Sequence, residues 1–280
     1  MNGGLFVGLA TVDVVQLVDR LPARNEKTTA VECWVAAGGP AAVAAITFAA
    51  LGGRARLWTA LGHAPAAQLA AADLAAAGVE VIDVAPPGFE LAVSTVFIDA
   101  ASGERAVVSG SGRTPAFGKI AGPDLRGVDI VLVDGHHPAL ARSAALAAQG
   151  MPVVVDAGSH KPVFDDIFAS STDVICSADY VHPDWLGARA LLLRGPELVA
   201  VSHGGDALRW WTAAASGSVE PEEVAVLDTT GAGDVLHGAY CHALAAGLDR
   251  EDALRSAVAV ATERVRHLGP FAWRAAIQDR

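Results

Sequence analysis

The heptapeptide Asp228-Thr229-Thr230-Gly231-Ala232-Gly233-Asp234, with the Ala-rich run 235–246 behind it, is the stretch that makes both fold and chemistry readable. Two glycines one residue apart free backbone N–H groups to point outward at a helix start. The helix dipole adds to them, which makes an anion hole suited to a phosphoryl group in transfer. Asp234 falls in the first turn of that helix. A carboxylate beside an anion site is electrostatically awkward, so its presence implies a chemical role, that of taking the proton from a hydroxyl that attacks phosphorus. Gly231, Ala232, Gly233 and Asp234 are therefore the candidate catalytic group.

Outward from this motif, apolar runs of strand length alternate with Ala-rich runs of helix length, as in a mainly parallel sheet covered on both faces. Strands are expected near 5–9, 55–59, 128–134, 152–156, 173–176, 198–202 and 207–212. Helices are expected near 40–52, 64–77, 138–149, 231–246 and 250–267. Asp249 is the expected N-cap of the last helix, with Glu251 and Asp252 placing negative charge in its first turn. Two segments, about 14–37 and 90–112, break the rhythm. They carry β-branched stretches such as 27–31 and 93–98 and hairpin punctuation at Ala101-Ser102-Gly103, with no intervening helix. They are expected to pair as a small antiparallel lid over the C-terminal edges of the parallel strands, inserted in one domain spanning 1–280.

With 20 Lys+Arg against 31 Asp+Glu in 280 residues, the formal charge is −11. Nucleic acid and anionic membrane surfaces need clustered positive charge, so neither is an expected partner. At 52% hydrophobic and 18% charged residues, the chain has material for a large core and no signature of disorder. The uncharged stretch 33–53 has the length of a bilayer span, but Gly38-Gly39-Pro40 interrupts it and leaves a short helix better buried against a sheet. The N-terminus lacks a basic region and a cleavage site, so no signal peptide is expected. Cys33, Cys176 and Cys241 form neither a disulfide framework nor a metal-ligand pairing. A cytoplasmic location is the expectation.

The segment 228–234 matches the C-terminal signature of the ribokinase-like, or PfkB, carbohydrate kinases. Gly38-Gly39, followed by the Ala-rich helix ending at Leu51-Gly52, resembles their N-terminal signature. The resemblance runs from about residue 4 to 270 and implies a three-layer α/β/α core with a mainly parallel sheet and a β lid. Gly38-Gly39-Pro40-Ala41-Ala42 and Asp234-Val235-Leu236-His237-Gly238 look most like the branch that includes sulfofructose kinase.

The resemblance implies ATP-dependent phosphorylation of a sugar hydroxyl, with Mg²⁺ carried in by ATP, K⁺ as a further cofactor and a homodimer formed through the lid. Asp234 would be the general base and the Gly231–Gly233 backbone the anion hole. Asp13 matches the aspartate that grips sugar hydroxyls, and Gly38 and Gly39 would let backbone approach the sugar. Val43 stands where the family usually has Asn. Lys27, Ser109 and His136 are further substrate candidates, and Arg105 would approach from the second lid segment. Val201-Ser202-His203-Gly204-Gly205 resembles the loop that touches ATP, which makes Ser202 and Gly204 nucleotide candidates; Thr229, Gly231 and Gly233 of the signature are the others. Asp228 and Thr230 would border the K⁺ site.

The Asn-x-x-Glu element that organises Mg²⁺ in the family is replaced by Ser177 and Tyr180, with Asp179 between them as a substitute ligand. That departure leaves open a second reading, a non-catalytic sugar or nucleotide sensor on the same fold. A dinucleotide dehydrogenase is excluded, because Gly8-Leu9-Ala10-Thr11 stands where Gly-x-Gly-x-x-Gly would follow the first strand.

Overall fold

Gly3–Val7 (β1) is buried along its whole length, which a strand sustains only where both faces of its sheet are covered. The computed structural model describes residues 2–110, 115–184 and 187–278. Within them β1 lies inside a nine-stranded sheet. To one side stand β4 (Arg54–Thr59) and β5 (Val79–Asp83), and to the other β8 (Ile130–Val133), β9 (Val153–Ala157), β10 (Asp173–Ser177) and β11 (Leu198–His203), all parallel. β12 (Asp206–Thr212) and β13 (Ser216–Val219) close the far edge antiparallel.

Alternation along the strands feeds two cores. Phe6 joins the layer of α1 (Pro40–Ala50), α2 (Pro65–Ala76), α5 (Ala232–Ala245), α6 (Arg250–Arg264) and α7 (Arg274–Ile277). Leu5 and Val7 join the layer of α3 (Pro138–Ala147) and α4 (Val163–Ile167). Trp210 and Trp211 divide in the same way, one into each core, so the second ring is half-buried and not a surface group. Helix α1 is apolar on nearly all sides and carries Pro at its start, where the missing N–H costs nothing. It crosses α5 so closely that a Cβ on Gly238 would stand 2.4 Å from the Ala44 carbonyl oxygen. Asp249 caps α6, accepting from the Asp252 N–H at 2.9 Å, as its sequence position predicts.

The interrupted segments form a separate four-stranded sheet in the order β3-β2-β6-β7, made of β2 (Thr11–Val18), β3 (Glu32–Gly38), β6 (Val93–Asp99) and β7 (Arg105–Ser109). One pair, β2 with β6, is parallel; the other two are antiparallel. The β-branched stretch 27–31 is not a strand but exposed coil leading to β3. Ser111 and Gly112, the end of the second expected lid segment, lie outside the described residues.

The chain leaves β1 toward β4 on one side and β8 on the other, so the switch point lies where β1 and β8 end. Asp134 is buried there. Its Oδ2 accepts from the Leu9 N–H at 2.8 Å and the Ala41 N–H at 3.3 Å, and its Oδ1 from the His136 N–H at 2.9 Å. Gly8 is the residue that tolerates this carboxylate, since a Cβ would sit 2.0 Å from it. Asp134→Ala strands three backbone donors and is expected to cost about 3 kcal/mol, a drop in Tm of about 6 °C or more, measured by thermal unfolding.

Candidate active site

The signature loop builds its turn from its own side chains. Asp228 Oδ1 accepts from the Thr230 N–H at 2.8 Å. Gly231 then takes a left-handed conformation, φ 71°, and serves as N-cap of α5. That leaves the first turn of α5 facing a cleft between the large sheet and the lid. Asp13, Gly38, Gly39, Val43, Thr230, Gly231 and Asp234 line this cleft, with Arg264 and Phe271. The expected base, the expected anion hole and the expected sugar-gripping residues are thus brought together from three separate chain segments, around 13, 38–43 and 230–234.

Asp13 comes from β2, where Thr11 Oγ1–H donates to its Oδ1 at 2.7 Å. Burial raises its carboxyl above the ordinary range, against the opposing hydrogen bonds of Thr11 and Ser94. Gly38 is needed beside it, because a Cβ there would come within 2.0 Å of Asp13 Oδ2. In the lid register Asp13 faces Ser94 and Ser94 faces Ser109, so Ser109 shares the Asp13 row, and the Ser94 and Ser109 hydroxyl oxygens lie at hydrogen-bond distance, 3.1 Å. Val43 presents an apolar wall close to Gly231.

Asp234 sits half-buried at the base of the cleft. Its surroundings push its carboxyl up to about 7: burial first, then the charge of Asp156, against the pull of His237 and Arg105. Asp156, at the end of β9, is buried and its Oδ2 has no partner among the described residues, while Oδ1 accepts from the Gly158 N–H at 3.2 Å. His237, one turn into α5, points its ring nitrogens at the Gly233 and Ile175 carbonyls, at 2.7 and 3.3 Å, and lies 3.6 Å from Asp156.

Several expected residues stand elsewhere. Lys27 lies on the exposed coil before β3 and does not line the cleft. Arg105 is engaged by the signature loop instead of reaching for a sugar: Nη1 donates to Thr229 O at 3.2 Å and to its Oγ1 at 3.3 Å. Thr229 is also bonded to Gly103 O, through its N–H at 3.3 Å and its hydroxyl at 3.2 Å. His136 is held by its backbone at Asp134, and the neighbouring His137 is the more buried ring. Ser202 donates to Cys176 O at 3.4 Å, and Gly204, with φ 63°, forms the tip of the β11–β12 hairpin. Asp179 is exposed in the loop after β10 and outside the cleft; Tyr180 packs in the α3–α4 core. The buried carboxylate oxygen without a partner among the described residues is at Asp156, not at Asp179.

Asp228 and Thr230 do not border an open cation site. The Arg264 guanidinium fills that place, with Nη2 2.8 Å from Asp228 Oδ2, and both side chains are fully enclosed. Sequence reading also passed over His160, Asp165 and His182, whose ligand atoms lie within 4.8 Å of one another. Asp165 there already faces His182 Nε2 at 3.1 Å and Arg194 at 3.6 Å.

The profile of the pfkB family carbohydrate kinases matches residues 3–272. The chain belongs to this family. Members of the family are carbohydrate kinases, and so is this protein. Ribokinase of Bacillus subtilis (strain 168) is 25% identical over 279 residues, covering 96% of this chain and 94% of that one. A solved structure from Agrobacterium tumefaciens is 25% identical with a TM-score of 0.85, over 99% of this chain and 96% of that one. The Arabidopsis thaliana ribokinase complexed with ribose and ATP is 22% identical with a TM-score of 0.79, over 99% and 97% of the two chains. No helix among the described residues is long and apolar enough to cross a membrane.

The Asp234 carboxyl makes the family's site measurable without substrate. Because the folded state holds a proton that the unfolded chain releases at ordinary Asp pH, stability falls as pH rises through the window from about 4 to about 7. Asp234→Asn, which cannot ionise, is expected to melt higher than wild type at pH values above this window, with the gap closing at its acid end. Equal melting temperatures across the whole range would show that the site imposes no such penalty.

Proposed function

We propose that this carbohydrate kinase transfers the γ-phosphoryl group of ATP in line to a hydroxyl of a neutral sugar, with Asp234 as general base. The observation that carries the proposal is that Asp13 and Asp234 line one cleft whose floor is the N-terminus of α5. A sugar held by Asp13 and by the backbone at Gly38 and Gly39 presents a hydroxyl to Asp234. As the hydroxyl oxygen bonds to phosphorus and the bond to the ADP oxygen breaks, the proton passes to an Asp234 oxygen. The Gly231–Gly233 N–H groups receive the charge on the equatorial oxygens, where oriented donors are most effective.

A carboxyl titrating near pH 7 suits this chemistry, being both available as a base and strong enough to take the proton. ATP as donor is supported by the Arabidopsis neighbour solved with ribose and ATP. Ser202, Gly204 and Thr229 are the residues proposed for the nucleotide. Mg²⁺, which neutralises phosphate charge, would be held by Asp156, whose unpartnered buried oxygen is the donor type a hard cation takes.

A neutral substrate is supported by the charge of the lining. The one cation among the described lining residues, Arg264, is neutralised by Asp228, and Arg105, bonded to Thr229, does not line the cleft. We therefore place fructose and related keto-sugars ahead of sulfofructose and the fructose phosphates. A panel of these sugars with ATP and Mg²⁺, read by ADP formation, is expected to favour the neutral acceptors. Selective use of the anionic ones overturns that part.

Asp234→Asn is expected to lower kcat by roughly 10²–10⁴-fold while nucleotide binding is retained. In the wild type, kcat/KM should rise with pH along a limb centred near 7. Wild-type turnover in the variant, on a verified sugar, sinks the assignment; nucleotide binding without any sugar-dependent ADP release in the wild type favours a sensor.

For the lid we infer a second copy of the chain as partner. Val35, Val93 and Val108 are 50%, 47% and 69% exposed on the face turned away from the cleft, an apolar sheet surface that water covers poorly. Val108→Asp is expected to convert a dimer to a monomer in light scattering without lowering Tm.

A further inference from the structure

Arg264, the last residue of α6, is 2% exposed. Its guanidinium lies behind the signature loop, where oxygens from two chain segments converge. Nη2 donates to Asp228 Oδ2 at 2.8 Å, and Nη1 donates to the Asp228 carbonyl at 3.3 Å and the His267 carbonyl at 2.8 Å. Asp228 Oδ2 accepts in addition from the Gly269 N–H at 3.3 Å, and the Leu227 N–H from the same loop donates to Val265 O at 2.8 Å. One carboxylate oxygen and two carbonyl oxygens, gathered out of water, form the donor set that a dehydrated monovalent cation takes. In this chain the set is aimed at a side chain.

We propose that Arg264 is a built-in cation that holds the phosphoryl-binding loop in place of a dissociable K⁺. A guanidinium is a permanent charge whose planar donors fit a carboxylate and neighbouring carbonyls, so the position is filled in every molecule under all working conditions. A second cation brought to the same oxygens would meet that charge at short range in a weakly screened place. The link to the site is direct: Asp228 Oδ2 holds the guanidinium while Oδ1 fixes the Thr230 N–H, one residue before the left-handed Gly231 that starts the anion hole. Arg264 is thus a positioning residue, and its role in turnover rests on the proposed kinase reading.

Two measurements separate the built-in cation from an ordinary buried ion pair. The first compares wild type in K⁺ with wild type in tetramethylammonium at equal ionic strength, read by Tm, by nucleotide affinity and by sugar-dependent ADP release. All three are expected to agree within about twofold or within error, since no ion is exchanged. A Tm or nucleotide affinity that rises selectively with K⁺ overturns the proposal, whatever the sugar activity turns out to be.

The second uses Arg264→Ala and Arg264→Lys. The alanine variant opens the oxygen-lined space, and its Tm and nucleotide affinity are expected to become dependent on added K⁺ or guanidinium, with activity returning through a lower KM for ATP more than through kcat. The lysine variant keeps the charge and should need neither. An alanine variant that is destabilised equally in every cation, beside a lysine variant no better, means that Arg264 serves packing alone. If neither variant folds, the wild-type comparison still decides.

Discussion

Asp134 spends both of its oxygens on backbone N–H groups that belong to three different parts of the chain: the exit of β1, the start of α1 and the turn into α3. A buried carboxylate is tolerated only with such partners, so the folded state must bring all three to one point at the switch between β1 and β8. From that point the other geometry follows. The β1 exit turns the chain into β2 and so sets where Asp13 stands. The start of α1 sets Gly38, Gly39 and Val43, and α1 in turn fixes the axis of α5 through the close crossing at Gly238. The Asp234 carboxyl is therefore carried by a helix whose position is set, through α1, from the same switch point.

Much of this was legible from local pattern. The parallel core strands, the five long helices, the lid and the signature turn are encoded in runs that each element carries itself. Where reading went astray, the deciding contacts are distant in sequence. The stretch 27–31 has strand propensity but is coil, meeting β2 through the Val31 N–H at Leu17 O (2.8 Å), and the neighbouring 32–38 takes the register opposite β2. Strand β5 is short and half-buried at an edge, without the apolar run that marked the others. Asp134 looks like any acid at a strand end until its three donors are seen together. Arg264 was hidden by a sufficient local explanation, since a basic residue in the last turn of a helix is favoured by the dipole alone; only the fold shows that it points inward to Asp228.

Charge at the site is organised against the grain of the protein. Asp13, Asp134, Asp156, Asp228 and Asp234 all stand at one edge of a sheet in a chain of charge −11. Asp134 is met by backbone donors, Asp228 by a guanidinium, and one Asp156 oxygen by the Gly158 N–H. Asp13 and Asp234, which line the cleft, are both raised by burial, Asp13 against the hydrogen bonds it accepts. A group whose charge is already satisfied has little drive to take a proton from substrate, whereas one held at a penalty gains from doing so.

The lid touches the signature loop as well as carrying Asp13 into the cleft. Its β6–β7 turn meets the signature loop at Thr229, through the Gly103 carbonyl and the Arg105 guanidinium. A Cβ at Gly103 would stand 3.2 Å from the Leu227 backbone, so this approach depends on a residue with little bulk as well as a left-handed φ of 70°. These bonds lie near solvent, where each is worth little net stability. The buried Arg264–Asp228 contact behind the same loop is of the opposite kind. The loop is therefore held firmly from the core side and lightly from the lid side. Loss of the lid contacts would release Thr229 while leaving the turn at Thr230 and Gly231, which Asp228 and Arg264 hold from the core side, formed.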